Sequence, residues 1–66
     1  MKILVNGEEQ RLETGANVQN LIEHLGLAHK RIAIERNREI IPKSLYGQTL
    51  LSEGDSLEVV VAVGGG

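Results

Sequence analysis

Side chains that do chemistry are few and scattered in this 66-residue sequence. His24 and His29 stand five apart across the predicted end of a helix, so they do not share a helical face. No cysteine or carboxylate cluster joins them, and the reading is a solvated pair rather than a zinc site. The carboxylate pairs Glu8-Glu9 and Glu53/Asp55 fall at predicted turns. An acid–base pair needs one carboxyl kept protonated by burial, and turns in so small a domain are expected to leave all four solvated. Ser44, Ser52 and Ser56 lie in or beside turns, with no His-Asp arrangement suggested nearby. Neither GxGxxG nor GxxxxGK[ST] occurs, so no phosphate cradle is indicated.

One group remains, at the end of the sequence VVVAVGGG. An α-carboxylate ordinarily titrates at about 3.3–3.7, so that of Gly66 is an anion at neutral pH and a poor electrophile. Nothing in the chain activates it, which implies an external activating enzyme. Gly64, Gly65 and Gly66 follow a strongly apolar segment with no polar linker. Three extended residues reach at most roughly 10 Å, and glycine has no Cβ to catch on a channel wall. A body formed by residues 1–63 would dock on a partner while Gly64 and Gly65 thread its active site and Gly66 is modified. The tail is expected to be mobile when unbound.

The elements that would carry this tail are legible in outline. Lys2 to Asn6 reads as a strand, and Asn6-Gly7 suits a type I′ hairpin turn. Glu8 to Glu13 is the return strand, polar apart from Leu12, as befits a sheet edge. Asn17 is the predicted N-cap of a helix. Val18, Leu21, Ile22 and Leu25 fall at i, i+3, i+4 and i+7, one helical face, and Gly26 is the stop. Arg31 to Arg36 alternates as a strand, Asn37-Arg38 turns it, and Glu39 to Ile41 is a short partner closed by Pro42. Lys43 to Gln48 holds one loose helical turn around Leu45 and Tyr46. Glu53-Gly54-Asp55 is a tight turn before a last strand over Ser56 to Val63. The order describes an α+β fold, a mixed sheet of four to five strands with one main helix on one face.

Composition sets the limits. A domain of this length buries only roughly 60% of the surface its unfolded chain exposes. With no Cys, Trp or Phe, the core rests on the 21 Ile, Leu and Val residues. Net charge is −2, and the seven basic residues form no block, which argues against nucleic-acid binding. No apolar run is long enough to span a bilayer, and MKILVNGEEQ does not read as a secretory signal. The expectation is a cytoplasmic protein with no nucleic-acid or membrane partner.

The blocks KILVNG, GANVQNLI, IAIERNREIIPK, EGDSLEVV and AVGGG together resemble the ThiS family, the sulfur carriers of thiamin thiazole synthesis. The resemblance covers nearly the whole chain, and it implies the ubiquitin-like β-grasp fold. It implies no permanently bound cofactor and no catalysis by the chain itself. A ThiF-like adenylyltransferase would use ATP and Mg to adenylylate Gly66. A cysteine desulfurase or other sulfurtransferase would supply sulfur, forming a thiocarboxylate, and a ThiG-like thiazole synthase would consume it. Rival readings are a molybdopterin-synthase small-subunit-like carrier, a ubiquitin-like modifier of lysines, and a β-grasp interaction module with an incidental tail.

Val61 stands where the resemblance leads one to expect a polar residue, and it makes the last strand unusually apolar. If Ile3, Val5, Leu57 and Val59 face the helix, alternation exposes Leu4, Val60 and Ala62 on the other face. These three are the candidate docking residues.

Overall fold

The computed structural model describes residues 1–62. Its elements are β1 (Lys2–Val5), β2 (Glu8–Arg11), α1 (Val18–His24), β3 (Ile32–Arg36), β4 (Glu39–Ile40), a 3₁₀ turn over Lys43–Leu45, and β5 (Ser56–Val61). The five strands form one sheet in the order β2-β1-β5-β3-β4. Only β1 and β5 run parallel; the other neighbours are antiparallel. The fold is therefore a mixed sheet grasping one helix, as the sequence predicts.

The local signals explain the local structure. Asn6 and Gly7 take φ of 52° and 82°, the left-handed pair that a type I′ turn demands. Asn37 and Arg38 repeat this at 50° and 73°. The Asn37 side chain makes that turn useful, donating to Asp55 at 3.2 Å and accepting from the Ser56 N–H at 3.0 Å. Asn17 caps α1: its Oδ1 accepts from the Asn20 N–H at 2.8 Å, and the Asn20 Oδ1 accepts from the Asn17 N–H at 2.9 Å. The N–H groups of Val18 and Gln19 are bonded to the carbonyls of Thr49 and Tyr46. Every amide of the first turn is thus engaged, which ties the helix start to the loop after the 3₁₀ turn. Asn17→Ala removes the side-chain acceptor of the cap and the Nδ2 donation to the Gly47 carbonyl while keeping the Asn17 N–H bond to Asn20, and is expected to cost about 1 kcal/mol in urea-induced unfolding at unchanged m.

Burial follows the two periods. Val18, Leu21 and Ile22 of α1 are buried against Ile3 and Val5 of β1, Ile34 of β3 and Leu57 and Val59 of β5. Ile41, Tyr46 and Leu51 close the side of this core. Among the described residues, no element packs on the opposite face of the sheet, and no helix is long and apolar enough to cross a membrane.

Three expectations need correction. The return strand stops at Arg11 rather than Glu13, because the ladder with β1 ends where Lys2 pairs Arg11. The last strand ends at Val61 rather than Val63, where its pairing with Ile32 runs out. Asp55 is not solvated: it is 7% exposed. Its carboxylate accepts from the Ser52 N–H at 2.8 Å and from Asn37, and the Arg36 Nε lies 3.6 Å away. These donors replace the water that a carboxylate needs, so a turn position became an interior one. Asp55 thereby joins the β3–β4 turn, the 52–55 turn and the start of β5.

Candidate functional site

The site is the place where β5 leaves the sheet. β5 is the central strand, with β1 on one edge and β3 on the other. On the β3 side, Ala33 pairs with Val60 and Ile32 with Val61, and the Ala62 N–H still donates to the Arg31 carbonyl at 2.8 Å. On the β1 side, backbone pairing covers only Ser56 and Leu57. Asn6 extends the grip to Val59, whose N–H and C=O both bond to its side-chain amide, at 2.7 and 3.0 Å. The strand is thus held along both edges to within a few residues of the glycines.

Alternation along β5 divides its side chains. Leu57 and Val59 face the helix and are buried, while Glu58 and Val60 face the open side. Val60 is 63% exposed, beside exposed Ala33 and Ala62. Val61 points to the helix side yet remains 37% exposed, because α1 has already ended at His24. Leu4, 39% exposed, is on the open face but level with Ser56. Val60 is four positions further along β5 than that level, about 13 Å. The structure therefore brings Val60 and Ala62 together near the tail and puts Leu4 at the other end of the same face. Gly64, Gly65 and Gly66, like Val63, lie outside the described residues.

Charge around the exit is divided by face. Glu35 and Glu58 stand directly opposite each other on the open face, next to Ala33 and Val60. Lys30, Arg31 and Lys43 border a cleft between α1, β3 and the 3₁₀ turn. His24 and His29 are both exposed, and the described residues contain no cluster of three His, Asp or Glu able to hold a metal.

Sequence reasoning missed two residues at this site. Asn6 was legible as a turn residue but not as a partner of Val59, which is 53 residues away. Ala33 drew no attention because only the register of β3 on β5 sets it beside Val60.

The sequence matches the ThiS family over residues 3–66. It is 44% identical over 66 residues to a thiazole synthase of Paramagnetospirillum magneticum, an alignment covering 100% of this chain and 20% of that protein. This chain thus spans a fifth of the length of that relative. Identity is 38% over 64 residues to the sulfur carrier protein ThiS of Bacillus subtilis, covering 94% of this chain and 96% of that one. The crystal structure of the thiamine biosynthesis protein ThiS from Geobacter metallireducens superposes with a TM-score of 0.83 at 28% identity, covering 100% of both chains. A match that runs from β1 through the terminal glycines, on a β-grasp sheet shared with a ThiS structure, leads to one conclusion: the chain belongs to the ThiS family.

Proposed function

We propose that this protein is a sulfur carrier of thiamin biosynthesis, and that Gly66 carries the sulfur. The observation that supports this most is the family match extending through residue 66, joined to a strand anchored on both edges just before the glycines. The carboxylate of Gly66 would attack the α-phosphorus of ATP in a ThiF-like adenylyltransferase, with Mg held by that enzyme, and pyrophosphate would leave. A cysteine desulfurase or other sulfurtransferase would then present a persulfide. Its terminal sulfur attacks the activated carbonyl and AMP departs, giving an acyl disulfide. A second thiol cleaves the S–S bond, is itself oxidised to a disulfide, and releases the thiocarboxylate.

That thiocarboxylate is a nucleophile, held from water only when a partner encloses it. A thiazole synthase is the proposed acceptor. A stretch similar to this whole chain occurs within proteins named thiazole synthase, which supports that pairing. In this reading the chain is a cosubstrate and catalyses nothing itself. Gly64 and Gly65 are the thread, because any side chain there would widen it.

Incubation with the adenylyltransferase, ATP-Mg and a sulfur donor, followed by intact mass measurement, tests the proposal. The expected product has one oxygen exchanged for sulfur at Gly66. An unchanged mass refutes it, and larger isopeptide-linked products identify a protein modifier instead.

Docking is proposed for the open face, with Val60 and Ala62 at its centre. A standard interface buries roughly 800 Å² per partner, broad enough to reach Leu4 as well. Val60→Asp is expected to weaken binding of the adenylyltransferase about tenfold or more while leaving the domain folded, because Val60 is exposed, with only a modest drop in thermal midpoint from the added charge beside Glu35 and Glu58. Unchanged affinity in calorimetry would remove Val60 from the interface.

A further inference from the structure

Asn6 begins the first hairpin turn, yet its side chain belongs to the strand that carries the tail. Its Oδ1 accepts from the Val59 N–H at 2.7 Å, and its Nδ2 donates to the Val59 carbonyl at 3.0 Å. Its backbone N–H donates to the Leu57 carbonyl at 2.8 Å. Beyond the Asn6 N–H the backbone no longer pairs with β5, because the chain turns away through Asn6 and Gly7. A continued parallel ladder would offer Val59 one acceptor and one donor, from the two peptide units that flank a single residue. The Asn6 carboxamide supplies one acceptor and one donor from a single planar group, and both reach Val59. The side chain is therefore the last rung of the β1–β5 ladder.

The turn alone does not explain asparagine. Glycine or aspartate also accepts a positive φ at this position. Glycine would lose both bonds to Val59. Aspartate would keep the acceptor but set a second oxygen against the Val59 carbonyl. Only the amide serves the turn and the rung together.

We propose that Asn6 is a positioning residue for delivery of the tail. By gripping Val59 opposite β3, it sets the direction in which β5 leaves the sheet, and hence where residues 63–66 enter a partner's active site. This rests on the carrier function proposed above. An activated acyl transfer is sensitive to such aim, since a displacement of about 1 Å can cost about 100-fold in rate.

The test is Asn6→Gly, which keeps the turn and deletes the rung, with Asn6→Asp as a second variant that keeps the acceptor. Pyrophosphate release by the cognate adenylyltransferase is measured against carrier concentration, at a temperature where circular dichroism shows every carrier folded. The open face is untouched, so KM is expected within about twofold of the parent chain, while kcat falls about tenfold for both variants. A purely structural role would act through the folded fraction. That scales the effective carrier concentration, raising the apparent KM and leaving kcat alone. Unchanged kcat, or a change in KM only, overturns the proposal. If the parent chain itself supports no pyrophosphate release, the carrier function fails and this role falls with it.

Discussion

A chain shortened by Gly66 is expected to lose sulfur loading by at least about 100-fold while melting at the temperature of the full-length chain. Among the described residues the apolar core ends at Val59, seven residues before Gly66, and the melting temperature is expected to follow that core. What changes is reach. Each extended residue spans at most about 3.6 Å, and the new carboxylate of Gly65 would stop short of the activating site by that length. Effective concentration at a fitted site collapses over such distances. Gly65→Val keeps the length and adds a β-branched side chain to the thread, and it is expected to lose loading comparably. Intact mass after timed incubation with the activating enzyme, ATP-Mg and a sulfur donor reads both variants. Full-rate loading of either one would show that the tail does not work by threading.

The second large effect concerns the body of the domain. Leu57→Ala is expected to cost about 2–5 kcal/mol. Leu57 is fully buried on the central strand, in the apolar cluster with Leu21, Val18 and Ile3. A domain of this size has a total stability of only about 3–10 kcal/mol, so the variant should be substantially unfolded near 37 °C. Leu50→Ala removes the same atoms from a side chain that is 62% exposed and should cost less than about 0.5 kcal/mol. Chemical denaturation of the pair gives the contrast, and equal losses would mean that the layer between α1 and β5 is not the stabilising core. Loss of loading in Leu57→Ala should track its unfolded fraction, unlike that in the shortened chain.

The elements most fully legible in the sequence are those governed by neighbours a few residues away. Val18, Leu21 and Ile22 of the predicted stripe are buried as their spacing predicts, because 3.6 residues per turn brings those positions to one side whatever they pack against, while Leu25, at the C-cap, is only partly buried. Asn17 and Asn6-Gly7 act within three residues, so their roles as cap and turn follow from composition alone. The inward set Ile3, Val5, Leu57 and Val59 follows from the two-residue period of a strand. The C-terminal ends of β2 and β5 did not follow, because such an end is where a partner strand stops.

Asp55 marks the limit more sharply. Its place beside Gly54 reads as solvent, yet Asn37 and Arg36 reach it from another turn and replace that solvent. The candidate docking residues show the same limit. Alternation assigns Leu4 and Val60 correctly to one face, but only the parallel register of β1 on β5 reveals that they stand apart along it.

By itself, then, the sequence determined the kinds of element, the side each one buries, and a glycine end with no side chain to obstruct it. These depend on backbone periodicity and on local hydrogen bonds. Tertiary structure alone decided which strand sits at the centre, that Asn6 holds Val59, and that Ala33 lies beside Val60 where the tail departs. Those are matters of register between segments dozens of residues apart, and register is set when the shared core closes.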